Sequence, residues 1–219
     1  MDLSELLEHF AFNDRFDIME LITEISPNFK AHNLVDALTS ACDSPFAFEW
    51  VKDMVRFLID KGVDVNSVDR HGKTALHAIC GRDDEYEYIN ERGCARGYKE
   101  MIHGVVCLLL RRGAQVNVYD SNQNTPLYYA VRCGLYDVTK KLLKRGADVN
   151  ARNNDGETPM SVACHGSSYH SSQQKYCYDD NSYEMLELLL RHGAEINIRY
   201  TSHLSKLVEA SALLVYGYC

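Results

Sequence analysis

No apolar run in this 219-residue chain approaches the roughly 20 residues needed to cross a bilayer. The longest are short, such as Val105-Val106-Cys107-Leu108-Leu109-Leu110. The opening Met1-Asp2-Leu3-Ser4-Glu5 lacks the basic-then-apolar pattern of a secretory leader. The expectation is a chain that folds inside a cell, cytoplasmic or nuclear, with no membrane contact. A disulfide-like frame is missing too: eight cysteines are present but unclustered, and free thiols are expected in an intracellular chain. Excess basic charge is absent. Residues 1–60 carry 12 acids and 4 bases, residues 61–219 carry 19 of each, and the net charge is −8. Phosphate binding needs basic charge, so no nucleic-acid partner is expected. The basic strip Lys140, Lys141, Lys144 and Arg145 reads as a solvated helix face.

Catalytic signatures are equally scarce. Gly93-Cys-Ala-Arg-Gly97 lacks the lysine and strand context of a phosphate-binding loop. Cys164, His165, His170 and Cys177 lack the close paired spacing of a zinc site. Cysteine and histidine are present, but no nucleophile elbow or oxyanion motif accompanies them. No basic partner stands out beside any of Cys94, Cys107, Cys133, Cys177 or Cys219. The reading is therefore no enzyme, no catalytic residue, no metal and no cofactor.

What is present is a repeat. Leu58-Ile-Asp-Lys-Gly-Val-Asp-Val-Asn66 recurs as Leu109-Leu-Arg-Arg-Gly-Ala-Gln-Val-Asn117, Leu142-Leu-Lys-Arg-Gly-Ala-Asp-Val-Asn150 and Leu189-Leu-Arg-His-Gly-Ala-Glu-Ile-Asn197. After the first three, at a fixed gap, come Gly72-Lys-Thr-Ala-Leu-His77, Gln123-Asn-Thr-Pro-Leu-Tyr128 and Gly156-Glu-Thr-Pro-Met-Ser161. Gly62, Gly113, Gly146 and Gly193 follow apolar helical runs, where a positive φ ends a helix at no steric cost. Thr74, Thr125 and Thr158 stand at N-cap positions, with Pro126 and Pro159 in the first turn.

These two motifs in fixed order resemble the ankyrin repeat over about residues 34–200. The resemblance implies an all-α solenoid of stacked helix pairs with short hairpin arms. It makes His77 a structural residue bonded to backbone. Tyr128 replaces the family's histidine, which leaves the turn bonding there open. Cys42, Cys80 and Cys164 fall where the family usually has alanine and read as small core residues. Residues 1–33 are expected to form a capping helix pair and 201–219 a capping helix or truncated repeat. The resemblance also implies asparaginyl hydroxylation at Asn66, Asn150 and Asn197. Hairpin bonding alone would account for those asparagines equally well.

The motif glycines are separated by 51, 33 and 47 residues, against a family period of about 33. The extra residues fall between paired helices, at about 81–98 and 165–182. Residues 83–91 hold five acids and no base, and 165–183 are rich in serine and tyrosine. Tyrosine offers large contact area at low entropic cost, so Tyr86, Tyr88, Tyr169, Tyr176 and Tyr178 are candidate contacts. The insertions read as well as tolerated surface loops.

The resemblance implies a second surface at the hairpin tips and first-helix face. The tips are Arg70, His71 and Lys73, then Ser121, Asn122 and Asn124, then Asn154, Asp155 and Glu157. Tyr128, Tyr129, Arg132 and Cys133 lie at or near groove-facing positions, and two tyrosines with an arginine suit a binding hot spot. The function expected is a monomeric protein-binding module: an adaptor, inhibitor or substrate receptor. Alternatives are an array within a larger enzyme, channel or ubiquitin-ligase component, and, behind these, a Cys/His or zinc enzyme.

Overall fold

The computed structural model describes residues 35–43, 50–81, 95–165 and 181–196, together with position 9. Eight helices span them: α1 Val35–Asp43, α2 Val51–Asp60, α3 Ala75–Cys80, α4 Ala95–Arg111, α5 Pro126–Arg132, α6 Tyr136–Lys144, α7 Pro159–His165 and α8 Asn181–Arg191. The odd-numbered helices pack in one row and the even-numbered in a second, each odd helix also against its even partner. The result is a two-layer, all-helical solenoid, and no strand occurs among the described residues. None of the described helices is long and apolar enough to cross a membrane.

Recurring positions build the core. Leu58, Leu109, Leu142 and Leu189, which open the repeated motif, are all fully buried. Leu38, Leu76, Leu127 and Met160 do the same on the short first helices, with Cys42, Cys80 and Cys164 one turn later. Helices α3, α5 and α7 each start on a threonine. Thr74 and Thr125 accept the backbone N–H groups of His77 and Tyr128 at their side-chain oxygens, and Thr158 accepts that of Ser161. Each long helix ends on a glycine with φ between 81° and 94°: Gly62, Gly113, Gly146 and Gly193.

Asparagine ties one repeat to the next. Asn117 donates through Nδ2 to the Gly146 carbonyl at 2.9 Å and accepts the Asp148 N–H at 2.8 Å. Asn66 does this to Gly113 and Gln115, and Asn150 to Gly193 and Glu195. Because the residue is exposed and water can replace part of the bonding, Asn117→Ala is expected to cost about 1–2 kcal/mol. Urea denaturation followed by circular dichroism would measure it, and an unchanged midpoint would remove the clamp role.

Helix α4 starts at Ala95, four residues before the position expected from sequence, because Tyr98 is buried and belongs to the stack rather than to a loop. Helix α8 likewise starts at Asn181. The expected capping segments 1–33 and 201–219 lie outside the described residues, position 9 excepted. So do 82–94 and 166–180, and with them Tyr86, Tyr88, Tyr169, Tyr176 and Tyr178.

Candidate functional site: the hairpin tips and the first-helix face

Three tips are built alike. Asp69 Oδ1 accepts the N–H groups of His71 and Lys73, at 2.8 and 2.9 Å. Asp120 Oδ1 does so for Asn122 and Asn124, and Asn153 Oδ1 for Asp155 and Glu157. This is the Asx turn, a side chain imitating a backbone acceptor. Successive tips are also bonded to each other. Ser121 donates its N–H and its hydroxyl to the His71 carbonyl, and Asn154 N–H donates to the Asn122 carbonyl. The tips therefore form a continuous, preorganised row.

Arg70 and His71 are exposed on the first tip, and Lys73 is half-buried. With Asp36 and Asp43 of α1 they line a hollow of about 240 Å³. On α5, Tyr128 and Arg132 are half-buried. Tyr128 Oη donates to Glu157 Oε2 at 2.7 Å, so where the family has histidine this chain bridges to the next hairpin through a phenol.

Tyr129 departs from the expected groove-facing position: it is 4% exposed. Its hydroxyl donates to the buried Asp120 at 2.7 Å. Its ring lies so close to Gly81 that a Cβ there would come within 2.9 Å of it. Lys73 Nζ and Arg132 Cζ lie 5.2 and 5.0 Å from the ring centroid. Tyr129 is thus a buried ring beneath two cationic side chains. Both tyrosine hydroxyls are held protonated well above the usual tyrosine range, first by burial and then by donating to a carboxylate.

The thiols offer little chemistry. Cys42, Cys80 and Cys164 are buried. Burial, reinforced by the neighbouring Cys133 and Cys42, pushes the Cys80 thiol well above its ordinary value, against thiolate formation. One expectation is corrected: Cys107 does have a basic neighbour, since a helix brings residues four apart together and its sulfur lies 3.8 Å from His103 Nε2. Among the described residues no group of three metal-ligating side chains converges.

Two features escaped the sequence reading. Tyr119 and Val68, at equivalent places on successive hairpin arms, are exposed; the signal was an apolar residue two places after the repeated asparagine. Gln123 has φ of 60°, where the flanking tips have Gly72 and Gly156 at 71° and 75°.

Comparison with known proteins agrees with this architecture. A model described as ankyrin repeats (many copies) matches residues 109–163, and one described as ankyrin repeat matches 155–200. Residues 109–200 of the chain are thus ankyrin repeats. An ankyrin repeat protein of fowlpox virus (strain NVSL) is 36% identical over 134 residues, which is 58% of this chain and 24% of that protein. The chain thus spans about a quarter of the length of that relative. Ankyrin repeats in general mediate contacts between proteins and are typically not catalytic.

The left-handed glutamine makes a separate prediction for this ankyrin array. A side chain in that conformation costs about 1–2 kcal/mol, part of which glycine's greater unfolded-state entropy offsets. Gln123→Gly is expected to raise stability by about 1 kcal/mol in urea denaturation. A lowered midpoint would show that the glutamine side chain stabilises the fold.

Proposed function

We propose that this chain is a protein-binding module, an adaptor, inhibitor or substrate receptor, that holds its partner on the hairpin tips and first-helix face. The observation that carries the reading is the bonded row of tips, His71 to Ser121 and Asn122 to Asn154. A row that is ordered before binding leaves less entropy to lose on association. Arg70, His71 and Lys73 provide contacts at one end, with Tyr128 and Arg132 behind the middle. Tyr86, Tyr88, Tyr169, Tyr176 and Tyr178 of the two insertions are proposed as a second contact zone. By itself the protein is a monomer, in the cytoplasm or nucleus.

Affinity capture with mass spectrometry tests this, using the wild type, Arg132→Ala, and deletions of 83–91 and 168–180. For a partner so found, Arg132→Ala is expected to weaken binding about tenfold or more, the loss of one hot-spot side chain. Calorimetry gives the affinity, and a melting curve confirms that the variant is folded. A partner that binds all three variants like the wild type would place its site elsewhere.

A further inference from the structure

The second layer of the solenoid, formed by α2, α4, α6 and α8, carries its charge unevenly. On α2, Arg56 is paired with Asp53, and Asp60 reaches Arg112 just past α4. On α8, Arg191 is paired with Glu187. On α6, by contrast, Lys140, Lys141, Lys144 and the C-cap Arg145 form no ion pair among the described residues, and neither does Arg111 at the end of α4. Leu109 and Leu142 open the same motif on these adjacent helices, which sets Arg111 level with Lys144. Packed helices stand about 8–10 Å apart, and the four bases of α6 span about 7.5 Å at about 1.5 Å per residue. Five cations therefore share one patch, with all but Lys141 exposed.

The nearby acids do not neutralise it. Asp137, one turn before Lys140 and Lys141, is paired with neither among the described residues. Asp148, on the arm after α6, turns one oxygen onto the Asn150 N–H. Crediting both in full still leaves three cations in excess. Bases suit the end of a helix, where the dipole is negative, but α2 has none in its last turn, so the repeat does not require them. Like charges three and four residues apart also repel, and Lys140 with Lys144, Lys141 with Lys144 and Lys141 with Arg145 are so spaced.

A hollow of about 380 Å³ adjoins the patch at the C-terminal ends of the two helices. Leu110, Ala114 and Val116 give it an apolar lining, with Gln115 and Arg145 beside them. Arg145 reaches across to α4, its Nη1 donating to the Leu110 carbonyl at 3.4 Å. Cations thus stand beside a recess fit for one apolar side chain.

We infer that this face, separate from the hairpin tips and independent of their role, docks a short acidic peptide segment of a partner protein. Its carboxylates lie along Lys140, Lys141, Lys144 and Arg111, and one large apolar side chain enters the hollow beside Arg145. Three or four extended residues, at about 3.3 Å each, cover the cations. The patch is narrow: α2 carries Asp53 and Asp60 on one side, and α8 carries Glu184 and Glu187 on the other. With the chain at −8 overall, a nucleic acid or an anionic lipid surface extending past the patch would meet these acids.

The test is fluorescence anisotropy of the full chain with labelled peptides of four glutamates and one phenylalanine, the ring placed before the acids in one peptide and after them in another. Binding of at least one is expected at 50 mM salt, weakening several-fold at 300 mM as screening sets in. Lys140→Glu with Lys144→Glu should weaken it at least tenfold. Lys52→Glu with Lys61→Glu on α2 changes the net charge equally and should leave it within about twofold. Gln115→Trp, an exposed change that fills the hollow, should weaken the phenylalanine peptide about tenfold and leave its alanine counterpart unchanged. Melting curves confirm that each variant is folded. No binding at 1 mM peptide, equal losses from the two charge-reversed pairs, or indifference to Gln115→Trp overturns the inference. So does equal or tighter binding to a single-stranded oligonucleotide or to phosphatidylserine vesicles. The proposed tip surface is judged separately, by Arg132→Ala.

Discussion

Leu109→Ala is expected to lower the unfolding free energy by about 3–5 kcal/mol, the range for a leucine removed from a packed interior. Leu109 is fully buried, and its helix α4 packs against α2, α3 and α6. Val105, Val106 and Leu142 are buried in the same cluster, and in a close-packed interior such side chains relax only partly into a cavity. The loss would be a third or more of the roughly 5–15 kcal/mol that holds a typical domain together. Position matters as much as volume. In a stacked array each repeat is stabilised mainly by its neighbours, so a cavity in a central repeat weakens two junctions at once. Urea unfolding is therefore expected to show a lower midpoint together with a broader or split transition. The adjacent Leu108 is only partly buried, and Leu108→Ala serves as the control, at about 1 kcal/mol for partial burial. If Leu109→Ala melted as one sharp step within about 1 kcal/mol of the wild type, the repeats would not be coupled as their packing implies.

Much of this fold is legible in the sequence because its constraints are local. A glycine at positive φ, a threonine cap and a proline in the first turn each act within a few residues, and Gly113, Thr125 and Pro126 lie where their motifs predict. The aligned cysteines are legible for a related reason, as small residues at a recurring buried position. The site is harder, because its decisive contacts are not local. Tyr128 and Tyr129 are adjacent on a short helix, and sequence alone does not say which turns inward. Tyr129 does so because a buried carboxylate nine residues earlier accepts its hydroxyl and Gly81 leaves room for its ring. Tyr128 instead reaches Glu157, 29 residues on, in the next hairpin. Gln123 and the His103–Cys107 contact were accessible by alignment and by helical spacing, and are recognised as departures only with the backbone in view. The Tyr-rich insertions remain expectations from composition, since they fall outside the described residues.

His77→Ala is expected to cost about 3 kcal/mol near neutral pH, because several buried groups lose their partner together. The ring is fully buried. Its Nδ1 accepts the Thr74 N–H at 3.1 Å, while Nε2 faces the carbonyls of Val118 and Asn124 at 3.1 and 3.2 Å. Two carbonyls at Nε2 require the proton there, and the Thr74 N–H requires a lone pair at Nδ1, so the folded ring is neutral. One imidazole thereby caps its own helix and fastens the next hairpin 41 and 47 residues away. Charging it would turn Nδ1 from acceptor to donor in front of the Thr74 N–H. Burial holds its pKa below the usual histidine value, outweighing the opposing pull of Asp120. A depressed folded value means that the unfolded chain binds the proton first as pH falls. The stabilisation is therefore fully present above about pH 6.5, the unfolded value. It declines below that until the pH has passed through the folded value, at no more than about 1.4 kcal/mol per pH unit for one proton. The measurement is urea stability of wild type and His77→Ala from pH 7.5 down to 5. The gap between the two is expected to be widest at pH 7.5 and to narrow on acidification, the difference removing what the other histidines contribute to both chains. A gap that widened as pH fell would mean that the folded protein prefers this imidazole charged, reversing the proton assignment at Nδ1.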